Sequence, residues 1–436
     1  MSTAKSTQSP VRVPGPRLPR PLQVAASLVD RRAAVLAFHR RHGPTFTTVL
    51  PFLGRVVVTN DPADVRTLFR AGPDIVDIVD SSLPRVVGPG SLIGQRGEVH
   101  RKRRRLLAPP FHGRRLPVYE RIVEEETLAE LAQCPEGAEF PIHPVTTRIT
   151  MSTILRAVFG ADGAELDELR TLVPKMVRLG SVLAILPIPE WNLGGYAPWG
   201  RYRVLRKNYD DIVDRLVARA EEDLDSREDV LSMLLQSRFE DGSPMTRSEI
   251  GDQLLSLLAA GHETTATVLA WAFERIRRHP ELLDRLVAEA DGEGHELIDA
   301  TMTEVQRVRP VVDLIARKII ADSLELRSCT LTRGETVMSS VEAVHNDANL
   351  FANPERFDPG RFLGVRPDPA EWIPFGGGAR RCIGAAFAQM ELRVVLRTVL
   401  RHYTLEPTEA PGERCRLKSI VTVPAGGGKV TLHSRS

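Results

Sequence analysis

The residue best suited to chemistry is Cys382, which lies in the stretch Phe-Gly-Gly-Gly-Ala-Arg-Arg-Cys-Ile-Gly at 375–384. The glycines predict a tight loop before the cysteine, and the apolar run after it, to about Tyr403, predicts a helix. At a loop-to-helix junction, main-chain N–H groups and the helix dipole favour a thiolate over a thiol. One thiolate beside arginines suits a single axial bond to haem iron. A cysteine in such a turn can also be a small buried apolar residue.

A second group of reactive side chains interrupts an apolar helix. Thr246 and Glu249 have the spacing of a capping box, and the helix that they open is predicted to run to His279, before Pro280. In its middle stands Ala-Gly-His-Glu-Thr-Thr, residues 260–265. A buried carboxylate and hydroxyl are costly unless they serve a purpose. The Thr264 hydroxyl can bond back to a carbonyl of the preceding turn, and the small Ala260 and Gly261 leave room for a flat cofactor. The structural alternative is a kinked core helix.

These two stretches resemble the signatures of the cytochrome P-450 family, Phe-x-x-Gly-x-Arg-x-Cys-x-Gly and Ala/Gly-Gly-x-Asp/Glu-Thr-Thr/Ser. The resemblance extends from about Pro14 to the C-terminus and is closest to the soluble bacterial members. It implies the cytochrome P-450 fold, mainly α with small β-sheets, in which residues 21–436 form a single haem domain. The Ser, Thr, Pro and Arg content of residues 1–20 predicts a disordered tail before that domain. It also implies haem b (iron protoporphyrin IX), with Cys382 as its metal ligand. Thr264 and Glu263 would be the catalytic residues that deliver protons.

The resemblance further assigns four basic residues to the two haem propionates. His100 and Arg104 lie four residues apart, on one helical face, where family members have Trp or His followed by Arg. Arg317 and Arg380 occupy the other positions at which the family has propionate-binding arginines. Buried propionates would be expensive without such cationic partners.

A structural triad is also implied by the resemblance. Glu304 and Arg307 match the family's Glu-x-x-Arg, which binds a third arginine. That third residue is expected to be Arg361 in Pro-Gly-Arg-Phe, where Gly replaces the family's Glu. Arg356 in Pro-Glu-Arg-Phe fits the motif better but lies five residues earlier, and it is kept as the fallback.

The remaining sequence predicts the elements that position these residues. The segment Gly72–Gly97 is expected to be a loop over the haem, and Leu172–Arg206 two helices joined by a lid loop that contains Pro187 and Trp191. Other predicted elements are a helix Val24–His42, a hairpin Thr45–Leu50 with Arg55–Asn60, a helix from Pro62 to about Ala71, helices Pro117–Cys134 and Thr146–Gly160, and a final hairpin near Ser419–Leu432 that turns at Gly426–Gly428 and brings Ile420 and Val421 to the pocket.

Composition limits the possible partners and compartments. The 436 residues carry a net charge of +2, so attraction to a partner must come from local patches. The run at Arg101, Lys102, Arg103 and Arg105, with Arg381, predicts a basic patch for an acidic ferredoxin-type protein. Nucleic acid is the weaker alternative because no aromatic residues interleave the run. Four cysteines without CxxC spacing and the lack of an apolar run of about 18 residues indicate a cytoplasmic chain without a membrane anchor.

The function that the resemblance implies is a haem-thiolate monooxygenase. It would insert one atom of O2 into an apolar small-molecule substrate, with electrons that come from a separate redox protein and ultimately from NAD(P)H. Two alternatives remain at this point. The same haem fold can carry out oxidative coupling or a peroxide-driven oxidation, or it can serve as a non-enzymatic haem sensor or carrier.

Overall fold

Helices make up most of the described chain, and the strands are short. The computed structural model describes residues 13–51, 53–111, 116–186, 188–190, 194–418 and 420–435. The helices are α1 Arg20–His42, α2 Pro62–Arg70, α3 Leu83–Val87, α4 Gly97–Leu107, α5 Leu116–Leu131, α6 His143–Ala157, α7 Gly163–Ile185, α8 Pro198–Glu222, α9 Val230–Gln236, α10 Arg247–Ile276, α11 Pro280–Asp291, α12 Glu296–Val308, α13 Val341–His345 and α14 Ala385–His402. The strands are β1 Thr45–Leu50, β2 Gly54–Thr59, β3 Val76–Asp77, β4 Phe140–Pro141, β5 Leu314–Ile319, β6 Ser323–Glu325, β7 Thr330–Thr332, β8 Thr336–Ser340, β9 Tyr403–Leu405, β10 Cys415–Lys418, β11 Val421–Pro424, β12 Lys429–Val430 and β13 Leu432–Ser434. The prediction of a mainly α fold with small sheets is confirmed.

The chain divides into two compact units. The first comprises Met1–Val79, Val312–Arg356 and Pro367–Arg381, and the second Asp80–Val311, Phe357–Arg366 and Cys382–Ser436. The expectation that residues 21–436 form one domain, preceded by a disordered tail at 1–20, stays a prediction. Residues 1–12 of that tail lie outside the described residues.

A five-stranded sheet in the order β1-β2-β8-β5-β3 organises the first unit. The predicted hairpin of β1 and β2 is confirmed, and the other edge of β2 pairs in parallel with β8. Helix α1 packs on this sheet through Val35 and Phe38, which contact a cluster that includes Phe46 and Val58. Asp61 caps α2 by accepting a hydrogen bond from Ala63 N at 2.8 Å, as the Asp-Pro sequence predicts.

Helix α10 is the centre of the second unit. The predicted capping box opens it: Thr246 Oγ1 accepts from Glu249 N at 3.2 Å, and Glu249 Oε2 accepts from Thr246 N at 2.9 Å. Its 30 residues correspond to about 45 Å. It packs against α6, α12 and α14, and its buried residues belong to the main apolar core of the unit.

Several predicted elements differ from the structure. The segment 72–97 is not all loop, because it contains β3 and α3. The prediction of the final hairpin is wrong: β10 pairs with β11, with Lys418 opposite Val421, and Gly426–Gly428 instead precede β12, which pairs with β4. Ser419, where the predicted hairpin begins, lies outside the described residues. Val421 is buried but Ile420 is exposed. Pro187 and Trp191 of the expected lid loop lie outside the described residues, between α7 and α8. Of the helices in the described ranges, none has both the length and the apolar character needed to span a bilayer.

Candidate functional site

Cys382 lies where the sequence predicts it, at a loop-to-helix junction. A 3-10 turn, Gly378–Arg380, precedes it, α14 begins at Ala385, and the cysteine itself is exposed. Gly378 has a φ of 64°, and a Cβ at this position would collide with the carbonyl oxygen of Phe69. Only glycine fits both constraints, so the turn before the cysteine depends on this residue.

The Glu263–Thr264 pair lies at the one opening along the middle of α10. Ala260 is exposed and Thr264 half-buried, whereas most of the helix around them is buried. Thr264 Oγ1 donates to the Ala260 carbonyl at 2.7 Å, which is the back-bond expected from the sequence. Gly261 is half-buried, and a Cβ there would meet the terminal methyl of Ile154 of α6, so this glycine also accommodates the packing of α6 on α10. That it leaves room for a flat cofactor stays a prediction.

Hydroxyl groups donate to further α10 carbonyls on either side of Thr264. Thr150 Oγ1 donates to His262 O at 2.8 Å, and Thr146 Oγ1 donates to Ala266 O at 3.0 Å, both from α6. Within α10, Thr267 Oγ1 donates to Glu263 O at 2.7 Å. These bonds fix the backbone that carries the acid and the hydroxyl. No sequence pattern indicates the two α6 contacts, because threonine in a helix usually bonds to its own backbone.

The carboxylate of Glu263 has two basic neighbours that sequence analysis missed. Lys418 Nζ of β10 donates to Oε1 at 2.7 Å, and His143 Nε2 of α6 lies 3.8 Å from the same oxygen. His143 Nε2 is also 3.2 Å from Thr267 Oγ1, whose only proton goes to Glu263 O. Nε2 must therefore carry a hydrogen to bond Thr267.

The surroundings of His143 shift its basicity. Burial lowers the pKa of His143 below its usual value, the Glu263 carboxylate opposes this effect, and the Lys418 and Arg416 cations reinforce it. The imidazole is consequently neutral near pH 7 and donates to Thr267 in its Nε2–H form.

In the first unit, Arg317 is a buried guanidinium without a carboxylate partner among the described residues. Its side chain donates to two carbonyls, Ala316 O at 2.9 Å and Gly377 O at 3.4 Å. Arg380, by contrast, pairs with Asp77 at 2.6 Å. Burial and the neighbouring Arg380 cation lower the pKa of Arg317 to about 10, against a smaller opposing effect of Asp77. A ligand carboxylate would relieve this cost, which fits the propionate expectation.

Helix α4 places His100 and Arg104 one turn apart, with His100 buried. The expectation that Arg103 belongs to an exposed patch is wrong. Arg103 is buried and contacts both the carboxylate of Glu249 and the carbonyl of Gly90. Arg101, Lys102 and Arg105 are exposed.

Glu304, Arg307 and Arg361 come together as the sequence predicts. Arg307 binds the carboxylate of Glu304 through two hydrogen bonds of 2.7 Å, and both side chains are fully buried. Arg361 Nε lies 3.3 Å from Glu304 Oε1, which also accepts from Asp358 N at 2.9 Å. The fallback Arg356 is exposed.

Comparison with known proteins decides the family. The cytochrome P-450 family model matches residues 14–432. The chain belongs to the cytochrome P-450 family. Cytochrome P-450 138 of Mycobacterium tuberculosis is 48% identical over 428 residues, which are 98% of this chain and 96% of that protein. Cytochrome P-450 135B1 of Mycobacterium bovis is 38% identical over 97% of this chain and 91% of its own length.

The fold comparison agrees. The structure of a retinoic-acid-bound cyanobacterial cytochrome P-450, CYP120A1, superposes with a TM-score of 0.84 over 98% of this chain and 100% of that one, at 24% identity. Membership of the cytochrome P-450 family implies a haem with a thiolate ligand and monooxygenase chemistry in general. The exposed thiol of Cys382, the opening beside Ala260 and the guanidinium of Arg317, which has no carboxylate partner in the described ranges, each fit such a group.

Proposed function

We propose that this cytochrome P-450 inserts one atom of O2 into an apolar small-molecule substrate, with electrons from a separate redox protein and ultimately from NAD(P)H. The observation that carries the proposal is the acid–hydroxyl pair Glu263–Thr264, which stands at the opening in an otherwise buried helix. A haem that only senses or carries a gas needs no proton supply of this kind. The pair therefore favours oxygen activation over those roles.

Cys382 is proposed as the axial thiolate, and His100, Arg104, Arg317 and Arg380 as the residues that hold the propionates. When bound, the haem supplies the iron at which O2 is reduced, and thiolate ligation favours O–O cleavage. The triad of Glu304, Arg307 and Arg361 has a structural role, because it ties α12 to the 3-10 turn Pro359–Phe362.

The protein side chains manage protons and access. The Thr264 hydroxyl, which donates its proton to Ala260 O, would position a water at the opening beside Ala260, and Glu263 would exchange protons between that water and solvent. The exposed cations Arg101, Lys102, Arg105 and Arg381 are proposed to attract an acidic ferredoxin-type partner.

The decisive test compares the four cysteines. In Cys382→Ser, the red-shifted Soret band of the ferrous–CO complex should disappear and turnover with surrogate redox partners should stop, because serine gives no thiolate. Cys134→Ser, Cys329→Ser and Cys415→Ser serve as controls and should retain both. Retention of the band in Cys382→Ser would refute the ligand assignment, and a normal band without turnover of any apolar compound would refute the monooxygenase function.

A further inference from the structure

The N-terminal half of α1 has its polar and apolar faces reversed relative to an ordinary surface helix. Leu22, Leu28 and Val29 are 55%, 65% and 88% exposed, and Leu18 just before the helix is 47% exposed, while Gln23 and Ser27 are buried. Leu18, Leu22, Ala25 and Val29 follow a helical spacing, and Ala25 is exposed like the others. Together with the adjacent Leu28, these side chains form an apolar stripe that is exposed to solvent.

The buried polar face explains why this orientation is stable. Gln23 Oε1 accepts from Val49 N at 3.0 Å and from Thr48 Oγ1 at 3.2 Å, so it pairs with strand β1. Ser27 Oγ donates to Gln23 O at 3.0 Å. Because these polar groups are satisfied against the sheet, the helix cannot turn its leucines inward without losing them.

Next to the stripe is a basic cavity. It has a volume of about 1050 Å³, and Arg17, Arg20, Arg41, Arg55 and His42 line it together with apolar residues such as Leu18 and Phe38. Among the residues that the structure describes, no acidic side chain lines the cavity. In the described part of the chain, none of the four arginines forms an ion pair, and the Nε2 atom of His42 is buried without a hydrogen-bond partner.

The neighbouring sequence cannot supply the missing negative charge. The first acidic residue of the chain is Asp30, and residues 1–12 contain Lys5 and Arg12 but no Asp or Glu. Asp30 Oδ1 accepts a hydrogen bond from Ala33 N at 2.9 Å, at the kink within α1. An anion for the cavity must therefore come from another part of the chain or from another molecule.

We propose that this face of the first unit binds the surface of an anionic phospholipid bilayer. Lipid phosphates would enter the basic cavity, and the stripe of Leu18, Leu22, Leu28 and Val29 would insert at the boundary between headgroups and acyl chains. An interfacial helix combines these two features, an apolar face and flanking cations. The occupant is not a second copy of the chain, since an isologous contact would bring the same arginines face to face. The inference does not depend on the proposed oxidation chemistry.

Vesicle co-sedimentation of the full chain tests the proposal. The wild type should bind vesicles of phosphatidylcholine mixed with phosphatidylglycerol, bind pure phosphatidylcholine far less, and lose affinity as salt rises. Leu22→Ser/Val29→Ser and Arg17→Gln/Arg20→Gln should each weaken binding by about tenfold or more, because they remove apolar insertion and charge separately. All four positions are exposed, so both variants are expected to keep their thermal unfolding midpoint.

Matched controls lie elsewhere on the surface. Leu363→Ser/Val365→Ser removes two exposed apolar residues, and Arg285→Gln/Arg366→Gln removes two exposed cations. Both controls should bind like the wild type. The proposal is overturned if anionic vesicles bind no better than neutral ones, if the controls lose affinity equally, or if light scattering shows a dimer that Leu22→Ser/Val29→Ser dissociates without any effect on vesicles.

Discussion

Lys418 Nζ lies 2.7 Å from Oε1 of Glu263, so the carboxylate in the middle of α10 is bound to strand β10, 155 residues later in the sequence. Lys418 is half-exposed, whereas the Glu263 side chain is mostly buried. The pair places the carboxylate at the boundary between solvent and interior. Delivery of a proton towards Thr264 requires the carboxylate to leave this lysine.

The first prediction concerns His143, on the inner side of the same carboxylate. In the wild type its pKa lies below the usual value near 6.5, chiefly because of burial. Lys418→Met removes a nearby cation and should raise that pKa, whereas Glu263→Gln removes the opposing anion and should lower it further. An NMR titration of the imidazole Cε1–H signal, assigned with His143→Gln, measures both shifts.

The control for Lys418→Met is Lys429→Met. Lys429 also pairs with a glutamate, Glu139, at 3.1 Å and is similarly exposed. Its removal should leave the His143 titration unchanged. Identical His143 curves in the wild type, Lys418→Met and Glu263→Gln would show that the cluster does not form in solution.

The second prediction contrasts two fully buried glutamates. Burial raises the pKa of Glu391 in α14 to about 8, against smaller opposing effects of Thr153 and Thr265. Glu274 is equally buried, but its pKa is lowered: burial alone would raise it, and the charges and hydrogen bonds of Arg275, Arg278 and Glu413 N outweigh that effect. Glu391 is therefore neutral in the fold at pH 7, and Glu274 is ionised.

The two shifts give pH dependences of opposite sign in different ranges: that of Glu391 lies between pH 4.5 and 8, whereas that of Glu274 lies below pH 4.5 and is absent between pH 5 and pH 8. The raised pKa of Glu391 contributes stability that is present below pH 4.5 and is lost as pH rises towards 8, by up to about 1.4 kcal/mol per pH unit. Glu391→Gln should thus gain in thermal midpoint relative to the wild type between pH 5 and pH 8. Glu274→Gln should lose stability at pH 7, since two arginines lose their carboxylate. Parallel melting curves for both variants across this range would contradict the assignment.

The third prediction concerns Arg307. Arg307→Met leaves the buried Glu304 carboxylate with Arg361 and Asp358 N as its remaining partners among the described residues, and breaking a buried pair in this way costs about 3–5 kcal/mol. Arg215→Met is the control, because Arg215 and Glu168 form a half-exposed pair at 2.6 Å that is worth at most about 1 kcal/mol. Urea unfolding measures both losses, and equal small losses would show that the triad is not structurally important.

The fourth prediction concerns the redox partner, and the structure weakens its basis. Arg101 pairs with Glu98, and Lys102 and Arg105 approach Glu240, so most of the charge on α4 is neutralised locally. An acidic ferredoxin should reduce Arg101→Glu/Arg105→Glu more slowly than the wild type. The wild-type rate should fall as salt rises, and the rate of the variant should not. Stopped-flow reduction at several salt concentrations measures this, with substrate affinity as the control. A rate that is unaffected by both changes would place the partner elsewhere.

Local patterns predicted most of the elements because their signals are short-range. The Asp61-Pro62 cap, the Thr246–Glu249 capping box and the loop before Cys382 each depend on neighbours within four residues. The prediction of the last hairpin is wrong because the glycines at 426–428 are a stronger turn signal than residues 419–420. Strand β12 pairs with β4, about 290 residues earlier, and no local pattern indicates this pairing.

Long-range contacts could not be predicted in the same way. Lys418 lies 155 residues from Glu263, and Glu249 is 146 residues from Arg103. An exposed lysine in a strand and an arginine in a basic run carry no sign of such partners. The basic neighbours of Arg103 in the sequence predict an exposed side chain, yet the fold buries Arg103 against Glu249 of the α10 capping box.

The last prediction concerns the hydroxyl of Thr264. Thr264→Ala removes the hydroxyl that donates to Ala260 O and changes the side-chain volume only slightly. The haem content, the ferrous–CO spectrum and substrate binding should therefore persist. Without this hydroxyl, water and protons are poorly placed, and O2 reduction should end in released hydrogen peroxide more often than in product. NAD(P)H consumption should therefore continue while product per NAD(P)H falls several-fold. Coupling efficiency with a true substrate is the measurement.

Thr146→Ala is the matched control for this experiment. Thr146 also donates to an α10 carbonyl, Ala266 O at 3.0 Å, but from α6 and in a buried position. Its loss should lower stability slightly and leave coupling unchanged, because this hydroxyl does not face the opening beside Ala260. Glu263→Gln should slow turnover overall, since it removes the group that exchanges protons with solvent. Unchanged coupling in Thr264→Ala would mean that this chain does not activate oxygen through Thr264, and would favour oxidative coupling or peroxide-driven chemistry instead.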